Sequence, residues 1–129
     1  MNPPLPQLPE ISFDNNISSD FDSLKSRELK VIAVKLIGKI QSGEIRGTRL
    51  EKRSATGNLQ GCFKIYFDLK EDVSPRYRIV YTFLPDHSLP RVLHVLAVAK
   101  RENMEAYKLA LQRLQDPLMR RLLEEYKEN

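Results

Sequence analysis

The chain has no tryptophan, one cysteine, two histidines and five glycines among 129 residues. A single cysteine, Cys62, excludes an internal disulfide and fits a reducing compartment. Two histidines, His87 in a turn and His94 inside an apolar strand, with no cysteine or carboxylate spaced to join them, argue against a metal site, and no metal is expected. The glycines form neither GxxxxGK[ST] nor GxGxxG, so neither of the glycine-rich nucleotide-binding loops is present and no cofactor is expected. No apolar run reaches the 18 residues a membrane helix needs, and the proline-rich start lacks the charged-then-apolar layout of a signal peptide. A cytoplasmic protein with no membrane contact is the expectation.

Proline is concentrated at one end. MNPPLPQLPE carries four prolines in nine residues, which forbids a helix or a sheet interior there. Residues 1–18 are expected to be a flexible arm, with Ile11 to Phe13 as a short edge strand. A helix is predicted to start among Ser19 to Ser23 and to run to Gln41, with Leu29, Ile32, Ala33, Leu36, Ile37 and Ile40 at helical spacing. A break near Ser26 would make it two helices. Gly43 is placed to end it in the left-handed conformation.

Between Leu59 and Arg101 the pattern changes to strands: CFKIYFDL from Cys62, RYRIVYTFL from Arg76 and RVLHVLAVAK from Arg91. The links at Lys70–Pro75 and Pro85–Pro90 are short and polar, which suits an antiparallel meander and not a parallel crossover. Alternation puts Phe63, Ile65, Phe67 and Leu69 on one face with Tyr77, Ile79, Tyr81 and Phe83. Lys64, Tyr66, Asp68, Arg76, Arg78 and Thr82 fall on the other, with Cys62 and Val80. The greasy face needs a cover, and the cations opposite are expected to face water or a ligand. The third strand is apolar almost throughout, as for a central strand covered on both faces. Cys62 reads as a small buried strand residue and His94 as a core or groove histidine.

After the third strand Glu102-Asn103 is expected to cap a helix with Met104, Tyr107, Leu111 and Leu114 as its stripe. Asp116-Pro117 then opens a closing helix to the end of the chain. The expected architecture is α+β. A meander of three to four antiparallel strands is covered on one face by the N-terminal helix or helices, with additional C-terminal helices. Residues 19–114 make the domain and 115–129 an appended helix.

Charge is the remaining signal. The formal net charge is +4, which favours an anionic partner only weakly. Its distribution says more, because Arg46, Arg49, Lys52 and Arg53 cluster before the sheet while Lys64, Arg76, Arg78, Arg91, Lys100 and Arg101 lie on or beside its strands.

Four blocks in this order carry a family resemblance: L-x-G-C-F-K-I at Leu59–Ile65, Y-R-I-V-Y at Tyr77–Tyr81, V-L-A-V-A-K-R-E at Val95–Glu102 and Y-K-L-A-L-Q-R-L at Tyr107–Leu114. Together they resemble the RelE branch of the RelE/ParE toxin superfamily, over about Ile11 to Leu114. The resemblance implies a toxin of a toxin-antitoxin pair that cuts messenger RNA in the ribosomal A site, with a cognate antitoxin as partner. By position it implies Lys64, Arg78, Arg101 and Tyr107 as catalytic residues. Where such enzymes often carry a second lysine two residues after the first, this chain has Tyr66. Cleavage without metal by the RNA's own 2'-hydroxyl needs a base, an acid and cations at the phosphoryl group. Arg78 and Arg101 suit the phosphate, and Tyr107 or Tyr66 the acid-base role, since adjacent cations favour a phenolate. Arg46, Arg49, Lys52, Arg53, Arg76 and Lys100 are the expected RNA-binding cations. Two other readings stay open: a ParE-type toxin that poisons DNA gyrase by contact, and a degenerate relative that binds antitoxin or RNA without cutting.

Overall fold

The computed structural model describes residues 8–51, 58–84 and 92–115. The closing helix, most of the proline-rich arm, the Pro85–Pro90 link, Lys52, Arg53 and Arg91 lie outside the described residues.

In chain order the elements are β1 (Glu10–Phe13), α1 (Ile17–Ser23), α2 (Arg27–Gln41), β2 (Thr48–Arg49), β3 (Cys62–Phe67), β4 (Tyr77–Leu84), β5 (Val92–Lys100), a single 3-10 turn (Glu102–Met104) and α3 (Glu105–Leu114). One helical segment becomes two because Lys25 turns left-handed at φ 58°. Ser26 then caps α2, its Oγ accepting from the Leu29 backbone N–H at 3.3 Å. Gly43, at φ 79°, stops α2 as its position predicts. α1 starts at Ile17, slightly ahead of the expected serines, and Asp20 is buried there instead of capping.

The sheet has five strands in the order β1-β5-β4-β3-β2, where three to four were expected. β3, β4 and β5 form the antiparallel meander, Ile65 opposite Ile79 and Ile79 opposite Val98. β2 adds a short antiparallel edge, and β1 lies parallel to β5 at the other edge, Ile11 opposite Leu93. A parallel neighbour is possible there because the whole of α1, α2 and the first strands intervenes between β1 and β5.

α2 buries Leu29, Ala33, Ile37 and Ile40 against Phe63, Phe67, Ile79 and Tyr81, the face that alternation made apolar. Truncating one such leucine or isoleucine to alanine costs about 2–5 kcal/mol. The opposite face is also covered. α3 lays Ala106, Tyr107 and Ala110 on Val80, Leu96, Ala97 and Ala99. Small residues on both sides of this contact let the helix come close, and its buried stripe is one turn-face away from the expected one, with Met104 exposed. The expected cap is absent too: Asn103 and Met104 take left-handed φ of 56° and 57°, and no side chain caps α3.

β5 carries an irregularity. Val80 faces Ala97 but Tyr81 faces Val95, so Leu96 is an inserted residue and inverts the alternation beyond it. Where β5 runs past the end of β1, its backbone is satisfied by side chains. Asp20 Oδ2 accepts from the Val98 N–H at 2.9 Å, and Arg113 Nη1 donates to the Leu96 carbonyl at 2.7 Å. Arg113 also pairs with both oxygens of Asp20 at 2.7 Å, which ties α3 to α1 around the sheet's edge. Among the described residues no helix is long and apolar enough to cross a membrane.

Candidate functional site

β3 and β4 run in register with Tyr66 opposite Arg78, so these two side chains leave the sheet side by side. Lys64, two residues earlier on β3, shares their face. Arg101 follows the last β5 pair, Lys100 opposite Tyr77, and reaches the same place from the third strand. α3 supplies Tyr107 from above.

The result is a cluster of cations around phenol rings. The Arg78 guanidinium carbon lies 3.7 Å from the Tyr107 ring centre and 5.1 Å from that of Tyr66. The Arg101 guanidinium stands 4.2 Å from the Tyr66 centre, and the Lys64 ammonium 4.6 Å from it. Lys64 Nζ also donates to the Tyr66 hydroxyl at 2.5 Å. Cations placed over aromatic faces gain from the ring quadrupole, which offsets part of the repulsion among them.

Exposure divides the two phenols. Tyr66 is 37% exposed, while Tyr107 is 5% exposed beneath the helix it belongs to. Arg78 is 6% exposed. Of the water or ligand expected to meet the cations on this side, water is largely excluded, while Arg78 contributes to the wall of an open cleft. Its burial is tolerated because its flat guanidinium lies close to two aromatic rings, contacts that suit a planar group better than an ammonium. Arg78 Nε and Nη1 and Arg101 Nε are buried without a hydrogen-bond partner among the described residues. Donors left so cost free energy in an apolar setting.

The Tyr66 hydroxyl is acidified. Partial burial alone would raise it, but hydrogen bonds from Lys64 and Arg78, and their charges, outweigh burial and bring it down to about 8. By contrast, burial pushes the Cys62 thiol up to about 12, which removes it as a nucleophile.

An open cleft of about 670 Å³ adjoins the cluster, with Arg76, Arg78, Lys100, Arg101, Glu102 and Met104 in its wall. Arg101 is fixed there by the loop between β3 and β4: its Nη1 donates to the Pro75 carbonyl at 2.9 Å and its backbone N–H to the Arg76 carbonyl at 2.8 Å. Arg76 itself is committed to Asp68, through Nε at 2.8 Å and Nη2 at 2.9 Å.

Of the expected RNA-binding cations, Arg76 and Lys100 line the cleft and Arg46 and Arg49 do not. Arg49 is opposite Phe63, on the α2 side of the sheet, and the Arg46 and Arg49 guanidiniums lie 5.7 and 5.5 Å from the Phe63 ring centre. The two-residue strand β2 carries Arg49 there, with Arg46 just before it in the chain. Its approach depends on Gly47, whose N–H donates to the Tyr81 hydroxyl at 2.8 Å.

His94 is buried on β5 with Nδ1 3.0 Å from Ser12 Oγ, while Nε2 has no partner among the described residues. No group of three or more His, Cys, Asp or Glu that could hold a metal ion occurs among the described residues. Two features escaped sequence reasoning. Asp68 and the Asp20–Arg113 pair each join positions whose relation only the folded strands create, although an aspartate and an arginine bracketing a strand-to-strand loop are a signal for the first.

Neither a protein-family model nor a curated protein matches the sequence. The structure is similar to a solved structure of the E. coli toxin RelE, an arginine-to-alanine double mutant in the free state, with a TM-score of 0.55. The two chains are 25% identical, and the match covers 84% of this chain and 99% of that one. The five-stranded sheet with helices on both faces is thus a RelE-like toxin fold.

Proposed function

We propose that the chain is the toxin of a toxin-antitoxin pair and an endoribonuclease of the RelE type, acting on messenger RNA at the ribosome. The observation that carries this reading is the convergence of Lys64, Arg78 and Arg101 on the half-open phenol of Tyr66. Arg78 and Arg101 both stand in the wall of the open cleft, and guanidinium forks suit phosphodiester oxygens, which accept from them.

In this reading the Tyr66 phenolate takes the proton of a ribose 2'-hydroxyl. The 2'-oxygen bonds to the adjacent phosphorus, and the bond from phosphorus to the 5'-oxygen breaks. Lys64, the proton carrier nearest that phenol, protonates the departing oxygen, leaving a 2',3'-cyclic phosphate and a 5'-hydroxyl. Arg78 and Arg101 neutralise charge gathered on the phosphoryl oxygens. Tyr107, with its ring centre 3.7 Å from the Arg78 guanidinium carbon, supports that arginine. Every step uses groups of the protein and the RNA alone. A cognate antitoxin is the expected partner, as the RelE-like fold implies.

Primer extension on messages from cells briefly induced for this chain tests the reading. New 5' ends within translated codons are expected, and their absence on Arg78→Ala substitution. Intact messages together with inhibited supercoiling would instead assign a gyrase poison of the ParE type. Intact messages and unimpaired growth would assign a non-cutting relative.

A further inference from the structure

We infer that Asp68, at the end of β3, is a positioning residue that holds Arg101 in the site; the inference rests on the nuclease reading above. The Asp68 carboxylate, with its side chain only 2% exposed, accepts from the backbone N–H of Leu69 at 2.7 Å and of Arg76 at 3.0 Å. It also accepts from Arg76 Nε and Nη2 at 2.8 and 2.9 Å. One side chain thus fastens both ends of the loop that joins β3 to β4.

The next links of the loop are the ones Arg101 uses. Arg76, pinned by Asp68 through its N–H and its guanidinium, offers its carbonyl to the Arg101 backbone, and the adjacent Pro75 offers its own to Arg101 Nη1. Arg101 stands just past the end of the β4–β5 ladder, so these two carbonyls replace the strand pairing that would otherwise orient it. With Nη1 so engaged, the guanidinium is held beside the Tyr66 ring, 4.2 Å from its centre, in the wall of the cleft. Ion pairs with an exposed partner contribute little stability, and the Arg76 side chain is 63% exposed. The pair's geometric effect on Arg101 is therefore its larger consequence.

The test is a double-mutant cycle of Asp68→Ala and Arg101→Ala, read by single-turnover cleavage of a synthetic message on programmed ribosomes. A displaced catalytic group costs about 10²-fold in rate. Asp68→Ala is expected to lose cleavage on that scale without a change in the half-saturating ribosome concentration, and the double variant to cut no more slowly than Arg101→Ala. Ser26→Ala, which removes the cap of α2 far from the site, controls for lost stability and is expected to cut normally. Losses that multiply in the double variant, or parental cleavage by Asp68→Ala, overturn the proposal. If the parent chain itself cuts nothing, the nuclease reading fails, and the nitrogen-15 spectrum of Arg101 decides the clamp alone. Restricted guanidinium rotation in the parent and free rotation in Asp68→Ala support it; equal rotation in both overturns it.

Discussion

The Arg78 guanidinium carbon sits 3.7 Å from the centre of the Tyr107 ring, nearer than the 5.1 Å that separates it from the centre of Tyr66. That relationship makes Tyr107 a support whose flat face matters more than its hydroxyl. Tyr107→Phe is expected to keep most of the cleavage rate, and Tyr107→Ala to lose about 10-fold or more as Arg78 loses its backing. Arg78→Ala, which removes a charge-stabilising donor outright, is expected to lose about 10²-fold or more. Rates of message cleavage in a translation extract check all three. A Tyr107→Phe variant as dead as Arg78→Ala would move the acid-base role to Tyr107.

A phenol that titrates at about 8 makes a pH prediction. The base form of Tyr66 is the deprotonated one, so cleavage is expected to rise with pH and level off above about 8. Tyr66→Phe is expected to abolish that rise along with most of the activity. Tyr66→Lys keeps a proton carrier at the position but removes the phenol, and its profile is expected to lose the inflection near 8. Single-turnover rates across pH 6 to about 9.5 resolve the three curves. The stability linkage has the same sign: the folded value is lower than the usual phenol value, so its contribution is full above the unfolded value and is lost as pH falls through about 8.

How much of this was legible in the residues depends on which element carries them. Alternation alone puts Lys64, Tyr66 and Arg78 on one face, because β3 and β4 pair without interruption. Alternation fails on β5, where the inserted Leu96 shifts the parity of everything after it, and Arg101 reaches the site by its position at the strand's end. Arg46 and Arg49 looked equivalent to the site cations in composition, yet a two-residue strand turns Arg49 toward Phe63. Covering the cationic face with α3 was not anticipated because a buried arginine is costly, and the two rings that lie against Arg78 come from separate segments, Tyr66 from β3 and Tyr107 from α3.

Asp20 and Arg113 are 93 positions apart and nothing local marks either one. The Asp20 carboxylate and two of the three Arg113 nitrogens are nevertheless joined in buried bonds of 2.7 Å, and Asp14 lies 3.3 Å from Arg113 Nε. Removing one partner of a buried pair strands the other charge. Asp20→Ala and Arg113→Ala are each expected to cost about 3–5 kcal/mol, and Asp20→Leu with Arg113→Met together less than either alone. Urea unfolding of the four chains measures it. Because α3 carries Tyr107, the single variants are also expected to slow cleavage at temperatures where they remain folded.

Gly47 offers a test of what positions the basic edge strand. A Cβ built there falls 2.5 Å from the Lys64 carbonyl oxygen and 2.9 Å from the Tyr81 hydroxyl, a separation that backbone atoms do not tolerate. Tyr81 is fully buried beneath α2 and cannot swing aside, and the backbone of β3 is held by pairing on both edges. The connector carrying β2 therefore has to move. Gly47→Ala is expected to destabilise the protein by about 1–3 kcal/mol and to break the bond from its N–H to the Tyr81 hydroxyl. Arg49 would leave the Phe63 ring while Lys64, Tyr66 and Arg78 stay together, since β3 and β4 pair independently of β2. Thermal unfolding registers the first effect and cleavage of ribosome-bound message the second. A rate that falls only slightly at a temperature where Gly47→Ala remains folded places Arg46 and Arg49 outside the catalytic surface; a large loss brings that edge of the sheet into contact with RNA.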